Sequence, residues 1–307
     1  VKGSYKNNGD YDDFDEGESY LELSNTEEDM LDIVCSQFEN VIVVVNSNNA
    51  MELDWVDKYE QIGAVILAPG AGATGFEALG EIINGSVNPS GKTTDTFVKD
   101  LKKTPYYNNI GQNTYTNVDN LKKQIAKNDA SYEGSIGFVN YAEGIYVGYK
   151  FYETAAEEGL IQYDDTVQYP FGYGLSYTTF EKKIENFKDN GDTVTFDVTV
   201  KNTGDVAGKD VIELYYTAPY TNGGIEKASA NLIAYDKTKS LEPGESQTLT
   251  ISFKAEDMAS YDYQKEKGYV LEAGDYEISI NTDSHHIIES ETYTVDETVK
   301  YTGDNKR

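Results

Sequence analysis

Gly70-Ala71-Gly72-Ala73-Thr74-Gly75 has the spacing G-x-G-x-x-G, follows an apolar run and opens a helical pattern. On a first strand, such a loop would hold a pyrophosphate against a helix N-terminus. Here the preceding strand is at least the second of its sheet. About 20 residues on, where a ribose-binding acid belongs, the sequence reads Asn88-Pro89-Ser90-Gly91. A tight strand-to-helix turn is therefore expected, and a nucleotide-dependent oxidoreductase is the minor alternative. The only histidines, His285 and His286, are adjacent. On a strand they would point to opposite faces and could not chelate together. Ser-His-Asp, Cys-His and His-rich zinc sites are improbable, so no metal or organic cofactor is implied. Cys35, the single cysteine, permits no intrachain disulfide and reads as a small core residue. What remains is carboxylate and tyrosine chemistry.

The 307 residues carry 54 acidic and 25 basic side chains, for a net charge of −29. That field repels phosphate backbones, which excludes nucleic acid as a partner and suits an acidic bacterial surface kept soluble by self-repulsion. The 26 tyrosines and 27 glycines suit sugars, since a ring face can stack on C–H groups while its hydroxyl hydrogen-bonds. For any one tyrosine, service as a strand former is the more economical reading. No apolar run is long enough to span a membrane. The chain begins at Val1 and ends in a polar tail, as a piece of a longer protein would; compartment and oligomeric state are left open.

The elements that must position these groups fall into two classes. Residues 1–19, with Asp10, Asp12, Asp13, Asp15, Glu16 and Glu18, read as a surface loop. Ser24-Asn25-Thr26-Glu27 forms a capping box ahead of a helix with Met30, Leu31, Val34 and Phe38 as its apolar positions. Asn40 closes it, and Val41-Ile42-Val43-Val44-Val45 predicts a strand buried on both faces, as in a parallel sheet. A second unit follows: a helix over about 51–59, a strand over 64–67 ending at Pro69, the glycine turn, and a helix with Phe76, Leu79 and Ile83 on one face. In an open α/β sheet the functional loops lie at the carboxyl ends of the strands, here residues 46–49 and 69–72. Residues 103–140 form a long loop rich in Asn, Tyr, Gly and Lys, with a helical turn or two over 121–127. From about residue 181 the period becomes two, with Val194, Phe196, Val198 and Val200, then Leu249, Ile251 and Phe253, then Tyr276, Ile278 and Ile280. Such short alternating strands read as a β-sandwich. Between the two classes, Tyr169-Pro170-Phe171-Gly172-Tyr173-Gly174-Leu175-Ser176-Tyr177 sets breakers among aromatics and predicts a rigid, packed connector.

Five ordered landmarks resemble glycoside hydrolase family 3, the β-glucosidase family. They are the buried strand leading into residues 46–55, Ala68-Pro69-Gly70-Ala71-Gly72, Asn88-Pro89-Ser90-Gly91-Lys92-Thr93-Thr94, Tyr141-Ala142-Glu143-Gly144-Ile145-Tyr146-Val147-Gly148-Tyr149-Lys150, and the connector. Lys92 and Thr94 stand where the family has Arg and Pro. Val200-Lys201-Asn202-Thr203-Gly204 and Leu241-Glu242-Pro243-Gly244-Glu245-Ser246 resemble the fibronectin type III-like domain that closes many members. The likeness covers roughly residues 20–290.

The resemblance implies an incomplete parallel-sheet α/β sandwich over 1–168, a connector over 169–182, an all-β immunoglobulin/fibronectin type III-like sandwich over 183–298 and a polar tail over 299–307. It implies a retaining exo-β-glycosidase of β-glucosidase or β-xylosidase type, whose mechanism needs two carboxyl groups about 5–5.5 Å apart. The nucleophilic Asp would come from an N-terminal (β/α)8 barrel of the same polypeptide, absent from these residues, so this piece alone is expected to be inactive. The acid/base Glu would lie in a Glu-Gly-x-Asp-Arg-like loop ahead of the first helix. Glu16 is the weak local candidate, but no Asp-Arg follows, and the true residue is expected just before Val1. Glu143 reads as structural, on a strand that packs aromatics. Tyr106, Tyr107, Tyr115 and Tyr132, in the long loop, are candidates for an outer sugar subsite by chemical type. The partner expected is an oligosaccharide or glycoside substrate; the alternative is a non-catalytic carbohydrate-binding or structural module.

Overall fold

A computed structural model describes residues 13–15, 17–107, 109, 114–115 and 137–302. The chain forms two compact units, one of residues 1–69 and 98–144, the other of residues 70–97 and 145–307. Glu16, Tyr132 and the turn expected at 121–127 lie outside the described residues.

The first unit is α/β. Helix α1 (Asn25–Gln37) starts where its capping box requires: the Ser24 hydroxyl accepts from the Glu27 N–H, and the Glu27 carboxylate accepts from the Ser24 N–H at 2.9 Å. Leu31 and Cys35 face inward, as expected for Cys35, whereas Met30 and Phe38 are exposed. Strands β1 (Val41–Val45) and β2 (Ile62–Leu67) pair in parallel, with Val43 opposite Val65 and Val45 opposite Leu67. Burial on both faces of β1 is not what forms. Ile42 and Val44 are 48% and 36% exposed, because only one face of this two-stranded sheet is covered within the described residues. The helix expected over 51–59 shrinks to a 3-10 turn, Asp54–Lys58. Residues 51–55 instead alternate, placing Met51, Leu53 and Trp55 inward, and the Trp55 indole donates to the Glu52 carbonyl.

The second unit opens with α2 (Phe76–Ile83), reached through left-handed Gly70 and Gly72. Its expected apolar face is not buried: Phe76 and Ile83 are each nearly half exposed. The chain passes between the units at the two-residue strand β3 (Phe97–Val98). Helix α3 (Tyr149–Glu157) and the turn α4 (Tyr163–Thr166) precede β4 (Val167–Tyr169). Residues 145–148 thus lead into a helix rather than forming the strand expected around Glu143.

The rest is a β-sandwich. One sheet holds β5 (Phe180–Asp189), β6 (Thr193–Asn202) and β9 (Ser246–Lys254); the other has the order β13-β12-β7-β8, built from β7 (Val211–Thr217), β8 (Asn231–Lys237), β12 (Gly274–Asn281) and β13 (Ile287–Val295). A small third sheet joins β10 (Ser260–Asp262), β11 (Gly268–Leu271) and β14 (Val299–Tyr301). The period-two pattern is realised: Val194, Phe196, Val198 and Val200 are fully buried on β6 and meet Leu214, Tyr276, Ile278 and Ile280 from the opposite sheet.

The connector is packed, and several of its partners lie 77 to 89 residues upstream. Asn88 bridges three segments: its amide oxygen accepts from the Ser176 hydroxyl and the Tyr177 N–H, and its amide nitrogen donates to the Ala207 carbonyl. The Thr93 hydroxyl donates to the Pro170 carbonyl at 2.6 Å and accepts from the Tyr173 N–H, while the Thr93 N–H donates to the Tyr173 carbonyl and its carbonyl accepts from the Gly172 N–H. Gly174 is required there, since a Cβ would sit 2.2 Å from the Gly91 carbonyl oxygen.

Candidate functional site

In the first unit, carboxylates gather where the parallel strands end. The loop after β1 runs into residues 51–55, and its Glu52 ties three segments together. The Glu52 N–H donates to the Leu21 carbonyl at 2.8 Å, and its carboxylate accepts the Leu101 N–H at 2.6 Å. Flanked by buried Met51 and Leu53, this side chain is half-buried. Desolvation, helped by nearby Glu22, Asp100 and Asp54, lifts its pKa to about 7 despite the Leu101 hydrogen bond. Glu22 is raised by burial too, against its Ser19 N–H bond and a Lys102 ammonium 3.8 Å away. A carboxyl group that titrates near neutrality in a polar loop cluster can hold or release a proton at working pH.

Glu143 lies in a turn, and its carboxylate accepts from the Asn109 amide at 2.5 Å. That contact anchors the far end of the long loop to its start, where the Asn109 N–H also donates to the Tyr106 carbonyl. Tyr106 and Tyr107 occupy that same starting turn and are half-buried. Tyr115 sits beside the Thr114–Gly137 bridge with its ring 4.7 Å from Phe138. Glu16 and Tyr132 fall outside the described residues. Sequence reasoning passed over Glu52; the signal available was an acid, with Asp54 after it, set inside the apolar alternation Met51, Leu53, Trp55.

The histidines are not on a strand. Both lie in the turn between β12 and β13, each held by its own carboxylate. His285 Nδ1 is 2.8 Å from Glu153, its ring stacks on Tyr163 at 3.5 Å, and His286 Nδ1 is 2.9 Å from Asp283. The Glu153 hydrogen bond raises the His285 pKa. Among the described residues no group of three or more His, Cys, Asp and Glu could hold a metal ion, and no helix is long and apolar enough to cross a membrane.

Residues 5–149 match the glycosyl hydrolase family 3 C-terminal domain, and residues 210–284 match a fibronectin type III-like domain. The chain is 37% identical over 287 residues to β-glucosidase A of Butyrivibrio fibrisolvens, covering 88% of this chain and 31% of that protein. The chain belongs to glycoside hydrolase family 3. A β-glucosidase of Ruminococcus albus is 34% identical over 91% of the chain and 26% of its own length. The family 3 fold extends through both units: a β-glucosidase from Paenibacillus barengoltzii superposes with a TM-score of 0.78 at 33% identity, over 94% of this chain and 30% of that one. β-Glucosidase 3B from Thermotoga neapolitana in complex with glucose gives a TM-score of 0.76 at 30% identity, over 95% and 37%. The family 3 chain described here thus spans about a third or less of the length of these relatives.

Proposed function

We propose that this chain is the C-terminal portion of a retaining exo-β-glycosidase, of β-glucosidase or β-xylosidase type, that hydrolyses O-glycosidic bonds in carbohydrate breakdown. The observation that carries the reading is the 37% identity to a β-glucosidase across 88% of the chain. The reaction needs a nucleophilic carboxylate and an acid/base carboxyl about 5–5.5 Å apart. We assign the nucleophile to a barrel outside these residues, and the acid/base to the loop that enters α1, with Glu16 its weak local candidate. Glu52 and Glu22 shape the cluster behind that loop. Tyr106, Tyr107, Tyr115 and Tyr132 are candidate contacts to the outer end of a glycoside. The division into 1–168, 169–182, 183–298 and 299–307 is part of this proposal, supported by family matches that fall within the first and third segments.

The test is hydrolysis of aryl β-glucosides and β-xylosides by this chain alone and by a polypeptide joining it to a family 3 barrel. The chain alone is expected to be inactive and the joined protein active. Turnover by the chain alone would refute the placement of the nucleophile. A joined, folded protein that cleaves neither substrate would refute the glycosidase reading.

A further inference from the structure

The β-sandwich carries a cleft of about 180 Å³ between the loop joining β7 to β8 and the hairpin joining β10 to β11. Tyr261 and Tyr263 flank it, 48% and 60% exposed; the Tyr261 ring is held edge-on against Tyr269 at 5.3 Å, and the Tyr263 hydroxyl accepts from the Gln264 amide at 3.0 Å. Glu226, Glu266 and Glu272 also line it, which would suit a cation were they not already engaged. Glu272 pairs with the buried ammonium of Lys227, Glu266 pairs with Lys300 at 2.7 Å, and Glu226 accepts the Tyr146 hydroxyl. The walls are pre-set. The Asp262 side chain accepts the N–H groups of Gln264, Lys265 and Glu266 at 2.9–3.2 Å, and Lys227 also donates to the Pro219 carbonyl at 2.6 Å. Ordering these loops on a ligand therefore costs little.

Glu266 and Glu272 are neutralised by lysines, while Glu226 keeps its charge behind the Tyr146 hydrogen bond, and all three retain acceptor lone pairs for a ligand's hydroxyls. Beside exposed aromatic rings, that combination fits an uncharged ligand with a polar rim and an apolar face. The volume lies below the ~300–1,000 Å³ of pockets that enclose a whole ligand, so it suits one ring. We propose that this cleft binds a neutral pyranose residue of a glycan, with a ring face on Tyr261 or Tyr263 and its hydroxyls on Gln264 and the paired carboxylates. The site does not depend on hydrolysis by the chain.

The experiment is an amide NMR titration of the full chain with cellotetraose, laminaritetraose and maltotetraose, and separately with calcium. At least one tetrasaccharide is expected to give saturable shifts confined to residues 223–226 and 261–266. Tyr261→Ala and Tyr263→Ala, checked for native spectra, should each weaken binding about threefold to tenfold. Tyr235→Ala, exposed but outside the cleft, should change nothing. The proposal is overturned if no sugar shifts these amides, if calcium alone does, or if both folded tyrosine variants bind as the parent does. Because no turnover is read, a failure here leaves the glycosidase reading standing, and an inactive chain leaves this site standing.

Discussion

Replacing Asn202 with alanine should destabilise the sandwich by about 2–6 kcal/mol, a figure that follows from counting its partners. The side chain is fully buried at the end of β6 and uses its whole hydrogen-bonding capacity. Its oxygen accepts from the Thr178 hydroxyl at 2.7 Å and the Gly204 N–H at 3.1 Å; its nitrogen donates to the Val206 and Leu241 carbonyls, both at 2.8 Å. The losses are unequal. Val206 is on an exposed residue and water can replace the amide, while the Leu241 carbonyl also accepts from the Gly208 N–H. Thr178 Oγ1 and the Gly204 N–H are left without that replacement, at about 1–3 kcal/mol each. Urea unfolding followed by near-UV circular dichroism reads this directly, because Tyr276 and Tyr293 lie in the sandwich core. Asn202→Asp is the companion variant. It keeps both acceptor bonds but turns an ionised oxygen toward two carbonyls, so its deficit should grow between pH 5 and pH 8. A natively folded Asn202→Ala that loses less than about 1 kcal/mol would refute the reasoning.

Further outcomes follow from the same geometry. Glu213 is buried against Gly172, and desolvation lifts its pKa from 4.5 to about 7; it holds its proton more tightly folded than unfolded, so it contributes a loss of stability as pH rises from about 4.5 to 7. Glu213→Gln should flatten that slope in thermal unfolding between pH 4.5 and 8 and be the more stable protein at pH 8. His285, raised above 6.5 chiefly by Glu153, stabilises the fold fully below its unfolded pKa and less as pH climbs through the folded value. His285→Phe keeps a ring over Tyr163 and should remove that alkaline decline; an unchanged profile would show that Glu153 does not hold the imidazolium. Gly172→Ala should lower the melting temperature by several degrees, since φ is +83° and a Cβ would lie 2.1 Å from a Glu213 carboxylate oxygen. A melting temperature within a degree of the parent would mean that the Glu213 side chain moves aside freely.

Local signals in the chain predicted local structure well. The capping box at Ser24 and Glu27 closes as written, because both partners sit within one helical turn. The alternation of β6 becomes alternating burial because a strand's side-chain period is fixed by its backbone. The failures share a different cause: the deciding partner is remote. Five β-branched residues look the same whether one or both faces of β1 are covered, so the exposure of Ile42 and Val44 could not be read from them. Glu52 owes its raised pKa to burial first and then to acids that include Glu22 and Asp100, 30 and 48 positions away in the chain, acting against the Leu101 hydrogen bond. His285 finds Glu153 across 132 positions, which no short window contains. The connector's stiffness was visible in its breakers and aromatics, but not the identity of Asn88 and Thr93 as the residues that hold it. Among the candidate site residues, chemical type singled out tyrosines and an acid by composition, whereas Glu52, a carboxyl group strongly altered by its surroundings, sits in an apolar alternation.

The Asn88 bridge bears on how such a sandwich could be inherited. A crossover at the connector would copy residues 169–302 as one tidy stretch, yet the amide that caps Ser176, Tyr177 and Ala207 is encoded some 80 residues earlier. The recipient would receive a sandwich with an open flank, its Tyr177 N–H and Ala207 carbonyl turned to solvent. Shuffling this fold between genes therefore favours breakpoints that carry residues 70–97 along with it. The fibronectin-like portion is a separate architecture without being a separable cassette.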